Sequence, residues 1–197
     1  MNKGRVEAFT DAIVAIIMTI MVLEFKVPDS YHLVDLIELI PSLLAYSISF
    51  TYMSIAWYNH HYMFSLANRI TKRIFWANNL WLFTMSFIPF ATAWAGRFTD
   101  KRVPEYLYFF VFFIWTLAYY FLSKMIIQEL VNTNSHKADK IKSMKIYKFI
   151  SGKFFWISNI IIGILIYYYP PVALIATILL LIYMGINTNS DSDNLAD

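Results

Sequence analysis

The sequence predicts an all-α integral membrane protein of six transmembrane helices, with both termini cytoplasmic. Three observations carry that prediction. First, 59% of the 197 residues are hydrophobic and only 15% are charged, against roughly a quarter charged in soluble domains. Second, the mean hydropathy is +0.52, and the apolar residues gather in long charge-free runs, which cross a bilayer as helices. Third, Lys and Arg are distributed unevenly between the intervening loops. Too little polar sequence is left for a soluble domain, so residues 1–188 read as a single six-helix unit, and residues 189–197 as an acidic disordered tail. The 197 residues contain no cysteine, which excludes disulfides, thiolate metal sites and thiol redox chemistry. The pI of about 8.9 does not point to nucleic acid, because the basic residues lie between the apolar segments.

The first helix is predicted over about residues 6–26 and is unusual. Asp11 sits where the apolar run should begin and Glu24 closes it, leaving only Ala12 to Leu23. At ~1.5 Å per residue that is roughly 18 Å of helix, against a hydrocarbon core of about 30 Å. A cleaved signal peptide is the competing reading; Asp11 at the head of the run and the lack of an Ala-x-Ala site after it argue against cleavage. The second helix, about 36–59, follows from the run Leu39–Asn59, and the third, 74–96, from Ile74–Gly96. The fourth, 105–127, contains the run Tyr106–Ser123. The run Phe154–Ser190 is too long for one crossing. Pro170-Pro171 cannot continue a helix, so "YYYPP" reads as a tight connection between helices at 147–169 and 171–187. No second copy of the opening segment is present.

Six crossings place both termini on one side. That side, with the 59–73 and 124–153 loops, holds 12 Lys and Arg against four (Lys26, Arg97, Lys101, Arg102) on the other. The positive-inside rule makes it the cytoplasm. Trp57, Trp76, Trp94, Trp115 and Trp156 read as interfacial anchors without a further role. "HKADKIKSMKIYK" reads as a cytoplasmic loop or helix end lying against anionic head groups.

Polar groups within a span cost free energy, so a short helix flanked by Asp11 and Glu24 belongs in the protein interior or along a water path. Ala12, Ile16, Thr19, Ile20 and Leu23 share one stripe at helical spacing. Two readings stay open: a packing stripe against neighbouring helices, or a pore lining in which bulky side chains gate by dewetting.

The stretch "RVEAFTDAIVAIIMTIMVLE" resembles the Arg-x-x-x-Phe-Ser-Asp signature of the transmembrane protein 175 family of potassium channels. Arg5, Phe9 and Asp11 match, and Thr10 stands where Ser is usual. "WYNHHYMF" and "NNLWLFTMSFIPFATAW" are similar to the family's second and third helices, with His60, His61, Asn79, Pro89, Phe90 and Thr92 in place. The resemblance covers roughly residues 1–96. It implies an unduplicated, prokaryotic type of subunit in the cell membrane, assembled as a homotetramer around a pore lined by the first helix. The family's constriction then falls on Ile16, with Ile20 and Leu23 as further rings and Thr19 as the hydroxyl layer tied to potassium preference. Arg5, Phe9, Thr10 and Asp11 would form a network reaching His60, His61 and Asn79. The permeant ion would be K⁺, with no cofactor. The sequence holds no Thr-Val-Gly-Tyr-Gly filter loop. Four copies of Glu24 at the outer mouth would concentrate cations; pairing or simple solvation of Glu24 is the alternative.

His60 and His61 point about 100° apart on a helix, and no cysteine or nearby carboxylate completes a set, so no metal site is expected. Histidines beside a buried carboxylate would titrate in the physiological range, giving an opening that depends on cytoplasmic pH between about 5.5 and 8. Two other function classes compete with the channel. Asp11 in a six-span half could serve a proton-coupled secondary transporter, but no paired broken helices mark two repeats. An enzyme is not expected, since no nucleophile–base pair, phosphate loop or HExxH motif is present. An accessory membrane subunit fits the same composition.

Overall fold

A computed structural model describes residues 2–25, 27–28, 30–133 and 135–187. The described residues form ten helices and no strand. α1 spans Lys3–Leu23, α2 Leu33–Glu38, α3 Ile40–Leu66, α4 Lys72–Met85 and α5 Ile88–Arg97. α6 spans Arg102–Asn132, α7 Lys137–Ser143, α8 Lys145–Ser151, α9 Lys153–Tyr168 and α10 Val172–Ile186. The expected tail, 189–197, and the expected end of the first helix at Lys26 lie outside the described residues.

Local chemistry sets the breaks. Asn2 caps α1, its side-chain oxygen accepting from Arg5 N–H at 3.4 Å. Thr71 caps α4 through Ile74 N–H at 3.3 Å. The segment expected as one helix over 74–96 is instead two, α4 and α5, separated at Ser86-Phe87. Pro89 has no N–H to give to the Met85 carbonyl, so the ladder stops and restarts with the proline in the first turn of α5. The segment expected at 147–169 is bent by 67° between α8 and α9, at Gly152. Pro170-Pro171 separates α9 from α10 by a three-residue connection. Among the described residues, α1 and α6 are each long and apolar enough to cross a membrane unbroken, and the bent pair α8–α9 makes a third.

The core lies between α3, α4 and α6. Tyr52, Trp81 and Trp115 are buried; the Trp81 and Trp115 rings stack at 5.9 Å between centroids, and Tyr52 meets Trp115 edge-on at 5.6 Å. A second polar layer binds α3, α5 and α6. Thr92 donates to Ser49 at 2.9 Å, and Ser49 shares a hydrogen bond with Tyr108 at 3.1 Å, all three buried. Glu105, which the sequence placed at a helix boundary, is fully buried, and neither carboxylate oxygen has a hydrogen-bond partner among the described residues.

α3 and α5 approach closely through small residues, as membrane helices commonly do. A Cβ added at Gly96 would lie 2.8 Å from Ser42 Cα and 3.0 Å from Ala45 Cβ. The first of these atoms is backbone and cannot yield cheaply. Gly96→Ala is therefore expected to destabilise the fold by about 1–3 kcal/mol, read as a lower melting temperature in detergent, with Gly96→Val worse. An unchanged melt for both would refute the close approach.

One end of the bundle gathers the α1 start, the α3–α4 connection and α7–α8. Lys3 Nζ donates to Ser65 O and Ala67 O, both at 3.0 Å, closing the C-terminal end of α3 with a cation. At the same end Lys145 hydrogen-bonds Asn187, just past α10. The described ends of the chain therefore lie on the same side.

Candidate pore helix and its supporting network

α1 lies at the edge of the subunit, packed on α3, α4 and α5. Its buried side chains are Val6, Thr10, Val14, Ile17 and Met21. They recur at i, i+4, i+8, i+11 and i+15, one face of a helix. Ala12, Ile16, Thr19, Ile20 and Leu23 are all exposed; Ile16 is 56% and Leu23 77% exposed. At about 100° per residue the centres of the two faces are roughly 140° apart. The apolar stripe is thus turned away from the subunit's own core.

Thr19 has a specific posture. Its Oγ1 donates to Ile16 O at 2.9 Å. The hydroxyl proton is thereby committed to the helix, and the oxygen lone pairs are left to face outward from an exposed position.

The signature residues separate into three directions. Thr10 points inward. Asn78 Nδ2 donates to Thr10 Oγ1 at 2.7 Å, and Thr10 Oγ1 donates on to Val6 O at 2.8 Å. With its amide nitrogen so used, Asn78 offers Oδ1 to His60 Nε2–H at 2.8 Å. His60, only 3% exposed, is held between the rings of Phe64 and Trp81, at 4.2 and 4.5 Å. This buried relay ties α1 to α3 and α4. A threonine serves in it as a serine would, since only the hydroxyl is used.

Asp11 points elsewhere. It is exposed in the subunit, and its Oδ1 accepts from Trp57 Nε1 at 2.8 Å. His61 packs on the Trp57 ring at 6.0 Å. Arg5 and Phe9 are exposed on the side of Ile16 and Leu23. Asn79 stands apart: its amide donates to Phe75 O in its own helix at 2.8 Å. The network expected from the signature is therefore carried by Thr10, Asn78 and His60, with a separate Asp11–Trp57 contact. Two participants, Asn78 and Trp57, are additions to the expected set. His60 hydrogen-bonds the Asn78 amide, while the Asp11 carboxylate is held by Trp57. Among the described residues no group of His, Asp and Glu could hold a metal ion.

Beyond the C-terminal end of α1 is a cavity of about 640 Å³, bounded by α2, α3 and α5. Glu24, Asp35, Glu38 and Asp100 line it with one arginine, Arg97. Its field is net negative, which raises the local concentration of cations.

Residues 5–89 match the family model described as the endosomal/lysosomal potassium channel TMEM175. A potassium channel of Chryseobacterium sp. (strain P1-3) is 38% identical over 175 residues, which is 88% of each chain. A potassium channel of Chamaesiphon minutus is 38% identical over 120 residues, 56% of this chain and 59% of that one. The crystal structure of a lysosomal potassium-selective channel TMEM175 homolog from Chamaesiphon minutus superposes with a TM-score of 0.78 at 30% identity, covering 95% of this chain and 98% of that chain. With a relative this similar matched along nearly nine-tenths of both sequences, the chain belongs to the TMEM175 family.

Proposed function

We propose that this chain is the subunit of a potassium-permeable cation channel, four copies of which surround one axis with α1 lining the pore. The observation that carries the proposal is the exposed stripe of Ile16, Thr19, Ile20 and Leu23 on a helix whose opposite face is packed. In a membrane an apolar row turned outward faces acyl chains, a partner subunit or a lumen. The charged Arg5, Asp11 and Glu24 exposed on or beside the same short helix disfavour acyl chains, and the likeness to potassium channels favours the lumen. In that assembly Ile16 forms the narrowest ring, Ile20 and Leu23 form rings toward the outside, and water leaves the gap between them when it is tight. Thr19 presents hydroxyl oxygens to a partly dehydrated cation, because its proton is held by Ile16 O.

Six crossings follow if the broken pairs α2–α3, α4–α5 and α8–α9 each count once with α1, α6 and α10. The 12 Lys and Arg of the N-terminal segment and of the 59–73 and 124–153 loops favour the cytoplasm for that side under the positive-inside rule, in a cell whose surface membrane holds the channel. The acidic cavity then faces outside, with Glu24 at the mouth. The ion is cargo and the protein has no need of a cofactor or of enzyme chemistry.

Liposomes holding the purified protein are expected to pass K⁺ and Rb⁺ down their gradients faster than Na⁺. Absence of any passive cation flux would overturn the proposal. Thr19→Ala is expected to leave K⁺ flux measurable while lowering the K⁺/Na⁺ ratio about ten-fold, equivalent to ~1.4 kcal/mol spread over four hydroxyls. A ratio that does not move would remove Thr19 from the selectivity layer.

A further inference from the structure

α7 and α8 form an elbow that the pore does not use. Its inner face is fixed: Ala138, Ile141, Met144, Ile146 and Ile150 are buried. Tyr147 packs on Tyr120 of α6 at 5.6 Å, and Phe149 packs on Phe155 and Tyr183 at 5.8 and 5.6 Å. The outer face is basic. Lys137, Lys140, Lys142, Lys145, Lys148 and Lys153 are all exposed, against the single acid Asp139. Asp139 is taken by Lys142 at 3.2 Å, and Lys145 bonds Asn187. Lys137, Lys140 and Lys148 have no ion pair among the described residues. Lys137 also acts repulsively on Lys3, the residue that fastens the start of α1 to α3.

The second observation is what adjoins this surface. The 67° bend turns α8 away from the axis of α9, and α9 opens with exposed apolar side chains: Phe154 is 68% exposed and Trp156 47%. A cationic shelf meeting an exposed aromatic edge at a span end matches the layering of a leaflet, phosphate outside and acyl chain inside. With α9 in the bilayer, Phe154 and Trp156 sit at the edge of the acyl region, which holds the adjoining lysines at head-group depth.

We propose that the α7–α8 elbow is a docking surface for the head groups of anionic phospholipids in the cytoplasmic leaflet, with Lys137, Lys140 and Lys148 as the phosphate-binding side chains. The buried inner face fixes the backbone that carries them, so binding has to order only the lysine side chains. Each engaged lysine contributes roughly a five-fold preference for an anionic surface.

The test is lipid retention by the full-length protein in native mass spectrometry, from detergent micelles doped equally with phosphatidylglycerol and phosphatidylcholine. The wild-type chain is expected to keep phosphatidylglycerol at least ten-fold over phosphatidylcholine. Lys137→Gln/Lys140→Gln/Lys148→Gln should lose most of that preference, and the corresponding triple arginine variant should keep it. All three substitutions are on exposed positions, and a melting curve checks that the variants fold. Millimolar glycerol phosphate should not compete, because it lacks the acyl chains. Equal retention of the two lipids by the wild type, or an unchanged preference in the glutamine variant, would overturn the proposal. So would displacement by glycerol phosphate or heparin, which would make the surface a soluble-anion site. A preference that emerges only after Asp191→Asn/Asp193→Asn would also overturn it, assigning the elbow to the chain's own acidic end. No arm depends on ion flux, so the lipid surface and the channel stand or fall separately.

Discussion

Ile16→Asn is expected to raise potassium flux through the reconstituted protein about ten-fold or more. The reasoning is local. Ile16 is more than half exposed within the subunit, so an asparagine there disturbs no core packing and the fold should be within about 0.5 kcal/mol of the wild type. In the proposed tetramer the same position is the driest point of the pore. Four amides in place of four sec-butyl groups would hold water in the gap, and loss of even ~1.4 kcal/mol of dewetting barrier multiplies the rate about ten-fold. Ile17→Asn is the control. Ile17 is buried on the opposite face, so its asparagine would bury an unpartnered amide at about 1–3 kcal/mol. That variant should melt earlier and show no added leak. Unchanged flux in Ile16→Asn with leak in Ile17→Asn would turn the helix around and refute the assignment.

That the stripe residues of α1 share a face was readable in the sequence, because a 3.6-residue period groups them without reference to any neighbour, but whether that face packs or lines a pore was not. Ile16, Thr19, Ile20 and Leu23 fall on one stripe whatever covers it. The partners of the signature were less readable. Asn78 and Asn79 are adjacent and chemically identical, and a motif match does not say which one faces α1. The signal was nevertheless present: Ile74, Ala77, Trp81, Leu82 and Met85 form the buried stripe of α4, and Asn78 falls within it while Asn79 falls beside it. Trp57 was hidden for a different reason. A tryptophan near a span end has a sufficient explanation as an interfacial anchor, so its indole N–H on Asp11 could be found only from the structure. The helix breaks divide along similar lines. Pro170-Pro171 marked a break unaided, because two rings in succession leave no alternative. Pro89 did not, since a single proline is compatible with a kinked continuous helix or with a restart, and packing of α5 against α3 and α6 decides between them. Glu105 was missed because a carboxylate at the end of a charge-free run ordinarily faces water.

Asn78→Leu should be the most damaging single change in the buried relay. Asn78 makes two hydrogen bonds out of reach of solvent, accepting from His60 and donating to Thr10. Leucine leaves the His60 N–H buried without an acceptor, and takes from Thr10 the donor that links α1 to α4. Polar contacts between membrane helices average about 0.6 kcal/mol and reach about 1.7, while an orphaned buried donor costs about 1–3 kcal/mol. A loss of about 2 kcal/mol is expected, which for a chain of this length lowers the melting temperature by roughly 4–8 °C. Because α1 is the pore helix of the proposed channel, its loosened attachment should also change potassium flux. The cause can be separated from lost volume. His60→Phe added to Asn78→Leu removes the orphan N–H and keeps a ring between Phe64 and Trp81, so the double variant should recover much of the lost stability. Thr10→Ser should be nearly silent and Thr10→Val should resemble Asn78→Leu in part, because the relay uses only the hydroxyl. If Asn78→Leu melts with the wild type, or if His60→Phe makes it worse, α1 is held by apolar packing alone and the relay is incidental.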